Sequence, residues 1–512
     1  MNRSDCNEVA SLSRFVSAKD SPKSAAGGQA STVHTAPFSS SAACPLVVDL
    51  DGTLVKTDLL LESLCRLLRQ QPLAFFALPV WLLKGRAHLK KEIARRVEFD
   101  ATPLPYRTEL VDYLRAEHEK GRMIVLATGA DELLARKVAD HVGLFDLVLA
   151  SDGTTNLSGE RKRVRLVDEF GLKGFEYAGN DSHDLAVWPS AKRGIVVNPS
   201  PRLLRVAARF TEAESAFAEH SPSFGEYVSA LRPRHWLKNV LVFAPILAAH
   251  FFLEPVLWFR TLLAFMGFCC CASSGYLIND LCDLPADRHH PEKRFRPFAS
   301  GRLPLGYGLG MAPALAVFGC VLAGLLSGTS LAFLALYFAL TLAYSFGLKK
   351  VVLLDVNVLA GLYTLRVIAG GIAIGIWPSV WLVAFSIFIF ISLAFVKRYA
   401  ELVVMRGVDG DHARARSYEL NDAELLASKG TAAGYAAVVV LALYIASGAV
   451  KVLYSRPQVM WCLCPLLLYW IGYVWLIAHR GRMDTDPLVF AVHDRTSRIL
   501  ILLMLAAFLL SI

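Results

Sequence analysis

Residues 275–297 of this 512-residue chain read GYLINDLCDLPADRHHPEKRFRP and come at the end of a long apolar run. The first polar residues of the stretch, Asn279, Asp280, Asp283 and Asp287, recur at short helical intervals, so a continuing helix would place them on one face. Oxygen ligands gathered in this way suit hard divalent cations, and ionisable residues at a membrane edge are functional by default. A solvated helix end would also carry acids, but it would not repeat them along one stripe. The stretch therefore predicts a divalent-cation site at a membrane edge.

Most of the long apolar runs lie after about residue 236, so the chain divides into two parts with different solvents. About nine runs have spanning or near-spanning length. They lie near residues 239–253, 256–278, 305–327, 329–346, 352–374, 379–396, 432–450, 458–478 and 497–512. The net charge of +9 comes with Lys and Arg clustered in alternate loops, as at a cytoplasmic membrane face, and does not indicate nucleic-acid binding. We expect a multi-pass protein of the inner (cytoplasmic) membrane, with the N-terminal domain and the sites on the cytoplasmic side.

The composition predicts four segments. Residues 1–44 are rich in Ser, Ala and Gly without the apolar core of a signal peptide, which indicates a disordered tail. Residues 45–200 alternate short apolar strands with helical stretches, and a helical insert occupies roughly residues 58–119. Residues 201–230 are expected to be a linker, and residues 231–512 the membrane domain. The expected fold is an N-terminal α/β Rossmann-like domain with a helical cap, followed by an all-α transmembrane bundle of about nine helices.

The soluble part carries paired carboxylates where its first strand ends, in the stretch VVDLDGTL. Asp49 and Asp51 are separated by one residue, and a turn at Gly52 swings them together, so that one can attack while the other shuttles a proton. Further polar residues occur in the stretches MIVLATG, GERK and YAGNDSHD, namely Thr128, Lys162, Asp181 and Asp184. The carboxyl ends of parallel strands form one edge of a sheet, where functional residues are expected.

These stretches, in this order, resemble the haloacid-dehalogenase superfamily of phosphotransferases over roughly residues 45–200. The resemblance implies that Asp49 is the nucleophile, which forms an aspartyl-phosphate, and that Asp51 is the general acid/base. It also implies phosphate binding by Thr128 and Lys162 and Mg²⁺ binding by Asp49, Asp51 and Asp184. The chain has Asn180 where many members have an aspartate. Either Asp181 substitutes or the metal binds more weakly, and a scaffold that binds without catalysis stays open.

The motif NDxxDxxxD after a second span resembles the UbiA superfamily of intramembrane prenyltransferases, over about residues 230–512. In that family the first acidic motif holds Mg²⁺ on a diphosphate, which implies this role for Asn279, Asp280, Asp283 and Asp287. The flanking stretches are similar to the branch that includes decaprenyl-phosphate phosphoribosyltransferase. They read LRPRHWLKNVLVFAP, ADRHHPEKRFRP, YSFGLKKVVLLDV, LRVIAGG and FVKRYAEL.

The loop after the sixth predicted span favours the same branch. An aromatic prenyltransferase usually carries a second acidic motif there, whereas this loop begins with Lys397 and Arg398 and its acids do not repeat the DxxxD spacing. A basic second site suits a phosphate-bearing acceptor better than a neutral phenol. Further candidates for phosphate or substrate binding are Lys238, Arg288, Lys293, Arg294, Arg296, Tyr344 and Lys349. For Lys238, Tyr344 and Lys349, interfacial anchoring or the positive-inside rule is an alternative account.

The implied reaction moves 5-phosphoribose from phosphoribosyl diphosphate to a polyprenyl phosphate at the lipid bilayer, with Mg²⁺ as cofactor. Such a transfer leaves a 5-phosphate on the lipid-linked sugar, which a phosphatase on the same side would hydrolyse to give polyprenyl-phosphoryl ribose. A second interpretation is prenyl transfer from a prenyl diphosphate to an aromatic or other small acceptor, with a non-catalytic N-terminal binding module. The sequence sets neither the prenyl chain length nor the oligomeric state.

Overall fold

The computed structural model of the chain describes residues 44–198, 201–209, 212–217, 221–405, 414–415, 418–483 and 486–512. The predicted disordered tail lies outside these ranges, apart from its last residue. By their contacts, Cys44–Ile512 form one unit, which contains a sheet-based part and a helical part. This arrangement agrees with the expected pairing of an α/β fold and a helical membrane fold.

A six-stranded parallel sheet forms the centre of the soluble part, in the order β3-β2-β1-β4-β5-β6. The strands are β1 (Leu46–Val48), β2 (Ile124–Asp131), β3 (Leu147–Ser151), β4 (Glu176–Gly179), β5 (Arg193–Val197) and β6 (Glu212–Ala216). β1 is a fully buried apolar run, as expected of a central strand that is covered on both faces. Because β1 pairs with both β2 and β4, the carboxyl ends of these three strands meet at one edge of the sheet.

The sheet continues into the segment that the sequence predicts to be a linker. β6 pairs in parallel with β5 along five residue pairs, so residues 212–216 complete the sheet. The sequence of β6, EAESA, contains no large apolar or β-branched residue and therefore gives little strand signal.

The helices of the soluble part include the predicted insert between β1 and β2. In chain order they are α1 (Leu59–Gln70), α2 (Leu78–Leu83), α3 (Arg86–Arg96), α4 (Thr108–Glu119), α5 (Glu132–Val142), α6 (Glu160–Phe170), α7 (Pro201–Ala207) and α8 (Phe224–Ala230). α1 begins after Asp58, whose carboxylate accepts the backbone N–H of Leu61 as a helix cap. The insert is helical, as predicted, and consists of α1 to α4.

Where the structure describes the membrane part, its regular elements are helices and one short antiparallel pair of strands, β7 (Arg414–Ala415) with β8 (Tyr418–Glu419). Its helices are α9 (Ala244–Ala248), α10 (Pro255–Cys282), α11 (Leu284–His289), α12 (Leu305–Leu326), α13 (Gly328–Phe346), α14 (Leu354–Ala373), α15 (Val380–Met405), α16 (Ala423–Ala446), α17 (Gly448–Leu453), α18 (Leu463–His479), α19 (Pro487–His493) and α20 (Arg495–Ser511). A 3₁₀ segment, Pro233–Phe243, leads into α9.

Seven helical segments of the described chain are long and apolar enough to cross a membrane. They are Pro255–Cys282, Leu305–Leu326, Gly328–Phe346, Leu354–Ala373, Val380–Met405, Leu420–Ala446 and Pro457–His479. The first and last of the nine predicted spans are not confirmed. The first predicted span is divided between the 3₁₀ segment and the five-residue α9, where Pro245 removes a backbone donor. The last corresponds to α20, whose 17 residues extend about 26 Å, less than the bilayer's hydrocarbon core.

The cap helix α1 packs against the end of α10, beside the acidic stretch. Cys65 of α1 shares a buried apolar cluster with Leu277 of α10. Next to this cluster, Arg288 donates two hydrogen bonds to Glu62, at 2.8 and 3.0 Å. Glu62 also accepts a hydrogen bond from Arg66 at 3.3 Å, and its side chain is completely buried. The soluble part is therefore docked on the membrane part through α1.

Replacing Glu62 by glutamine should weaken this docking. The change leaves the buried guanidinium groups of Arg66 and Arg288 without their carboxylate, and breaking a buried ion pair costs about 3–5 kcal/mol. We expect a lower melting temperature of the purified full-length chain and faster proteolysis of the cap. Glu160→Gln, which removes an exposed carboxylate on α6, is the matched control. Identical melting and proteolysis profiles for the two variants would contradict the importance of this contact.

Candidate active sites

The predicted nucleophile and acid/base lie at the carboxyl end of β1. Asp49 directly follows the strand, and Asp51 comes two residues later. Gly52 has a φ angle of +73°, and a Cβ atom there would lie 2.2 Å from the amide nitrogen of Asn180, so only glycine fits. The backbone N–H of Leu59, the first residue of α1, donates to Asp51 Oδ1 at 2.8 Å. The turn at Gly52 therefore connects the two carboxylates to the cap helix.

Lys162 connects the first and the last of the predicted motifs. Its ammonium group lies 2.7 Å from Asp49 Oδ1 and 3.8 Å from Asp184 Oδ1. It also donates to the hydroxyl of Tyr177 at 3.0 Å, and this hydroxyl donates to Asp184 at 2.6 Å. All four side chains are buried. The structure thus brings together three residues that the sequence predicted, and adds Tyr177, which reads in the sequence as a core aromatic of β4.

Asn180 occupies the position where the resemblance expects an aspartate. Its side-chain oxygen accepts the Thr53 hydroxyl at 3.1 Å, while its backbone N–H and that of Asp181 donate to Asp184 Oδ2 at 2.9 and 3.0 Å. The side chain of Asp181 is 63 % exposed and accepts the backbone N–H of Ser182. Asp181 therefore caps a turn and does not take the place of the missing carboxylate.

A second lysine reaches the edge of the sheet that contains Thr128. Thr128 is fully buried in β2, and its hydroxyl oxygen accepts a backbone N–H two residues later at 3.0 Å. Lys90 of α3 donates to the carbonyl of Gly129 at 2.5 Å and to the side chain of Asn156 at 2.9 Å. With Asp51, Lys90 lines a cavity of about 50 Å³. Lys90 was not identified from the sequence because charged residues on a cap helix are usually solvated.

The electrostatics of this edge fit a metal ion. Burial raises the pKa of Asp49 to about 6, although the Lys162 ammonium opposes the shift. Burial, with the neighbouring carboxylates of Asp58 and Asp49, raises the pKa of Asp51 to about 8. A cation would remove the penalty on their ionised forms. Among the described residues no three His, Cys, Asp or Glu side chains form a metal-holding group, so Mg²⁺ would take its remaining ligands from water or substrate phosphate.

The acidic stretch lies where α10 ends and α11 begins. Asn279 and Asp280 are in the last turn of α10, Asp283 separates the two helices, and Asp287 lies in α11. Arg296 joins two of these acids, since its Nη1 atom lies 3.3 Å from Asp280 Oδ1 and 2.6 Å from Asp287 Oδ2. One arginine therefore brings Asp280 and Asp287 together, but among the described residues no three of these acids form a metal-holding group, and the helix breaks at Asp283 instead of continuing through the whole motif.

Four cations surround this acidic stretch, and we call them the cation collar: Arg69, Arg232, Arg296 and Lys349. Arg232 pairs with Asp280, and Arg69 of the soluble part pairs with Asp283. Lys349 lies 3.4 Å from Asn279 Oδ1 and 3.6 Å from Asp283 Oδ2. The collar can therefore neutralise the acids while no metal is bound.

Two members of the collar, Arg296 and Lys349, were predicted to bind substrate or phosphate. Arg69 and Arg232 were not identified, since the first lies in the other domain and the second in a Pro-flanked stretch without a regular pattern. Arg232 has a φ angle of +55°, which L-residues rarely adopt. Such local strain is typical of functional positions.

Three other predicted substrate contacts lie outside the collar. Arg288, besides its two hydrogen bonds to Glu62, donates to the carbonyl of Ala299 at 2.9 Å. It acts as a docking residue in this structure, because these three acceptors engage its guanidinium. Lys293 and Arg294 form an exposed turn, in which Arg294 stacks on the ring of its neighbour.

A second charged cluster contains Lys238, Lys397 and Asp486. Lys238 pairs with Asp486 and lies over the ring of Tyr363, 5.9 Å from its centre, while Lys397 Nζ is 3.8 Å from the same Asp486 oxygen. Asp486 was missed, and its only signal in the sequence is an acid directly before Pro487, at the start of a helix. The second site thus contains two cations and one anion, so an acid that the sequence analysis did not include lies among the predicted lysines.

Arg398 and Tyr344 belong to a buried network and not to this cluster. Arg398 pairs with Asp355 and donates to Glu401 at 2.7 Å and to the Tyr344 hydroxyl at 2.5 Å. The other oxygen of Asp355 accepts the Tyr418 hydroxyl at 2.6 Å. Since Arg398 is only 1 % exposed and contacts two carboxylates, its charge is already balanced. The prediction that it binds phosphate is therefore not supported by its surroundings.

The model of the UbiA prenyltransferase family matches residues 241–510. The matched region is more than half of the chain and contains the acidic stretch, Lys397 and Asp486. The chain therefore belongs to the UbiA prenyltransferase family, and its seven apolar helices agree with an integral membrane protein.

Relatives differ in how much of the chain they cover. The uncharacterized protein y4nM of Sinorhizobium fredii is 36 % identical over 473 residues, which are 91 % of this chain and 91 % of that protein. The nodulation protein NoeC of Azorhizobium caulinodans is 40 % identical over 282 residues, or 54 % of this chain and 91 % of its own. The decaprenyl-phosphate phosphoribosyltransferase of Corynebacterium glutamicum is 43 % identical over 183 residues, or 35 % of this chain and 54 % of the enzyme. A solved UbiA homolog from Archaeoglobus fulgidus bound to GPP and Mg²⁺ matches with a TM-score of 0.42 and 16 % identity, over 55 % of this chain and 99 % of that one.

The raised pKa values of Asp49 and Asp51 predict a pH-dependent response to metal removal. In the unfolded chain both carboxyl groups have a pKa of about 4, whereas in the folded chain the pKa is about 6 for Asp49 and about 8 for Asp51. Between these pH values the folded chain binds more protons than the unfolded chain, so the free energy of unfolding falls as pH rises. With EDTA, we expect a lower melting temperature at pH 8 than at pH 6, and a larger increase on adding Mg²⁺ at pH 8. Asp51→Asn should reduce this pH dependence, whereas Asp112→Asn, at an exposed carboxylate, should retain it. Equal pH dependence in the two variants would contradict the assignment.

Proposed function

We propose that the chain transfers 5-phosphoribose from phosphoribosyl diphosphate to a polyprenyl phosphate, and that its soluble part then removes the 5-phosphate. The observation that carries the first step is the acidic stretch enclosed by the cation collar, because it combines ligands for a metal with donors for phosphate oxygens. The similarity of one third of the chain to decaprenyl-phosphate phosphoribosyltransferases supports this choice of donor and acceptor.

The donor's diphosphate is placed at the acidic stretch. Asn279, Asp280, Asp283 and Asp287 offer the oxygen ligands that suit Mg²⁺. When bound there, Mg²⁺ supplies positive charge that stabilises the leaving diphosphate. The carboxylates would hold the metal, and the guanidinium and ammonium groups of the collar would then be available as donors for the phosphate oxygens.

The acceptor's phosphate is placed at the second cluster. Lys238 and Lys397 attract the phosphate. While no substrate is bound, Asp486 holds their two ammonium groups in position. An oxygen of the polyprenyl phosphate attacks the anomeric carbon, a new carbon–oxygen bond forms, and the bond to the diphosphate breaks with its electron pair on the leaving group. The clustering of Lys and Arg in alternate loops favours the cytoplasmic side of the inner membrane for this chemistry.

The second step takes place at the edge of the sheet. Asp49 attacks the phosphorus of the 5-phosphate while Asp51 protonates the departing sugar oxygen. Asp51 then takes a proton from a water molecule whose oxygen attacks the phosphorus. The bond between phosphorus and the Asp49 oxygen breaks, which releases inorganic phosphate and restores the Asp49 carboxylate. Lys162 lies 2.7 Å from Asp49, where its positive charge offsets the repulsion between the carboxylate and the phosphate.

A donor screen tests the first step. The purified chain receives Mg²⁺ with either labelled phosphoribosyl diphosphate and a polyprenyl phosphate, or a labelled prenyl diphosphate and an aromatic acceptor. We expect label in the lipid fraction from phosphoribosyl diphosphate, reduced on the order of 100-fold in Asp283→Asn because a charged ligand of the leaving group's metal is lost. Asp112→Asn is the matched control. Transfer only from the prenyl diphosphate would establish the alternative reaction and overturn this one.

The phosphatase step is tested by the identity of the product. Wild type should give polyprenyl-phosphoryl ribose, whereas Asp49→Asn should accumulate polyprenyl-phosphoryl-5-phosphoribose, since it lacks the attacking carboxylate. Mass spectrometry of the extracted lipid distinguishes the two products. If both proteins give the same dephosphorylated lipid, the soluble part is not the phosphatase and its role is binding.

A further inference from the structure

One helix of the soluble part contacts both candidate sites. At the start of α1, Leu59 donates its backbone N–H to Asp51, and Asp58 lines the cavity beside it. At the other end, Arg69 pairs with Asp283 of the acidic stretch. Twelve residues at 1.5 Å per residue make α1 about 18 Å long. The two sites therefore lie one helix length apart.

The docking of α1 determines where Arg69 lies. Glu62, which holds Arg288 at 2.8 and 3.0 Å, precedes Arg69 by two helical turns on the same face. Cys65, between them in sequence, packs in the apolar cluster at the end of α10. The side chain of Arg69 is 38 % exposed, so its guanidinium lies at the border between the acidic stretch and solvent. A ligand that enters the acidic stretch from this side meets Arg69.

A metal bound at the acidic stretch would compete with Arg69 for its partner, Asp283. Asp283 is shared by Arg69 and Lys349, and both cations compete with a metal for its oxygens. A donor that brings Mg²⁺ also brings phosphate oxygens, and these are acceptors that guanidinium groups bind in a bidentate manner. If Asp283 binds the metal instead of Arg69, the guanidinium of Arg69 then lies beside the phosphate groups of the donor.

We propose that Arg69, although it belongs to the soluble part, is a donor-binding residue of the transferase site. In the absence of substrate it pairs with Asp283, and in the donor complex it binds a phosphate oxygen of the diphosphate. The inference rests on the proposed function for the identity of the donor, but it applies to any donor whose diphosphate lies at the acidic stretch. The soluble part would then be needed for the first step as well as for the second.

The test compares donor binding by three variants of the full-length chain in lipid nanodiscs. All carry Asp49→Asn to prevent hydrolysis of the probe, and calorimetry measures the Kd of phosphoribosyl diphosphate with Mg²⁺ in the absence of acceptor. Arg69→Gln should raise this Kd about tenfold or more, because a hydrogen bond to a charged group is lost. Arg69→Lys, which keeps the charge but loses the bidentate geometry, should lie between wild type and Arg69→Gln. Arg115→Gln, at an exposed ion pair of α4, should bind as wild type does.

Two results would overturn the inference. An unchanged Kd in Arg69→Gln would mean that Arg69 contributes only to docking, and a lower Kd would mean that it only competes with the metal for Asp283. Equal melting temperatures and equal hydrogen exchange of α1 in the variant and the wild type show that the docking is intact. If docking is lost, Arg69→Lys takes the place of Arg69→Gln as the deciding variant.

The same titration with geranyl diphosphate separates this inference from the proposed function. If the wild type binds geranyl diphosphate and not phosphoribosyl diphosphate, the proposed transfer is wrong. The effect of Arg69→Gln is then measured on geranyl diphosphate, and a tenfold loss of affinity still supports a donor-binding role for Arg69.

Discussion

A carboxylate that is removed from water needs a cation beside it, and this requirement organises both candidate sites. In the soluble part, Lys162 contacts Asp49 and Asp184. In the membrane part, the cation collar contacts the acidic stretch, and two further lysines contact Asp486. Each of these carboxylates thus has a protein cation before any metal arrives, whereas Asp51 accepts the backbone N–H of Leu59. Under the proposed function, substrate binding at these carboxylates is therefore an exchange of partners.

The sequence predicted the features that depend on local spacing. The alternation of apolar strands and helices gave the parallel sheet, and the position of Asp49 after β1 followed from it. The long apolar runs gave seven of the nine expected spans. The acidic stretch was predicted as one cluster because its residues repeat at helical intervals, although the break at Asp283 was not expected. In each case the information lies within a few turns of the chain.

What the sequence did not predict are pairings between distant segments. Arg288 is a cation in a basic stretch and was therefore predicted to contact phosphate. Its partner, Glu62, is 226 residues away on a helix of the cap, where the sequence gives no sign of this pairing. Arg398 looked like a free cation because Asp355 lies 43 residues earlier, in another helix. Asp486 is an isolated acid in the sequence, and its role becomes visible only because the fold brings it beside Lys238 and Lys397. The charge of a residue is read from the sequence, whereas the balance of that charge is a property of the fold.

The contact between Glu62 and Arg288 also has a consequence for the order of events during synthesis. The cap helix leaves the ribosome long before the segment that contains Arg288, since the bond closes a separation of 226 residues. Until α10 and α11 have been inserted, Glu62 has Arg66 of its own helix but not Arg288 as a partner, on a soluble domain that can already fold around its sheet. Docking of α1 is therefore a late step, because it can occur only after α10 and α11 have reached their positions. A chain that fails to insert would leave exposed both the buried charge of Glu62 and the apolar face of α1 that packs in the cluster at the end of α10.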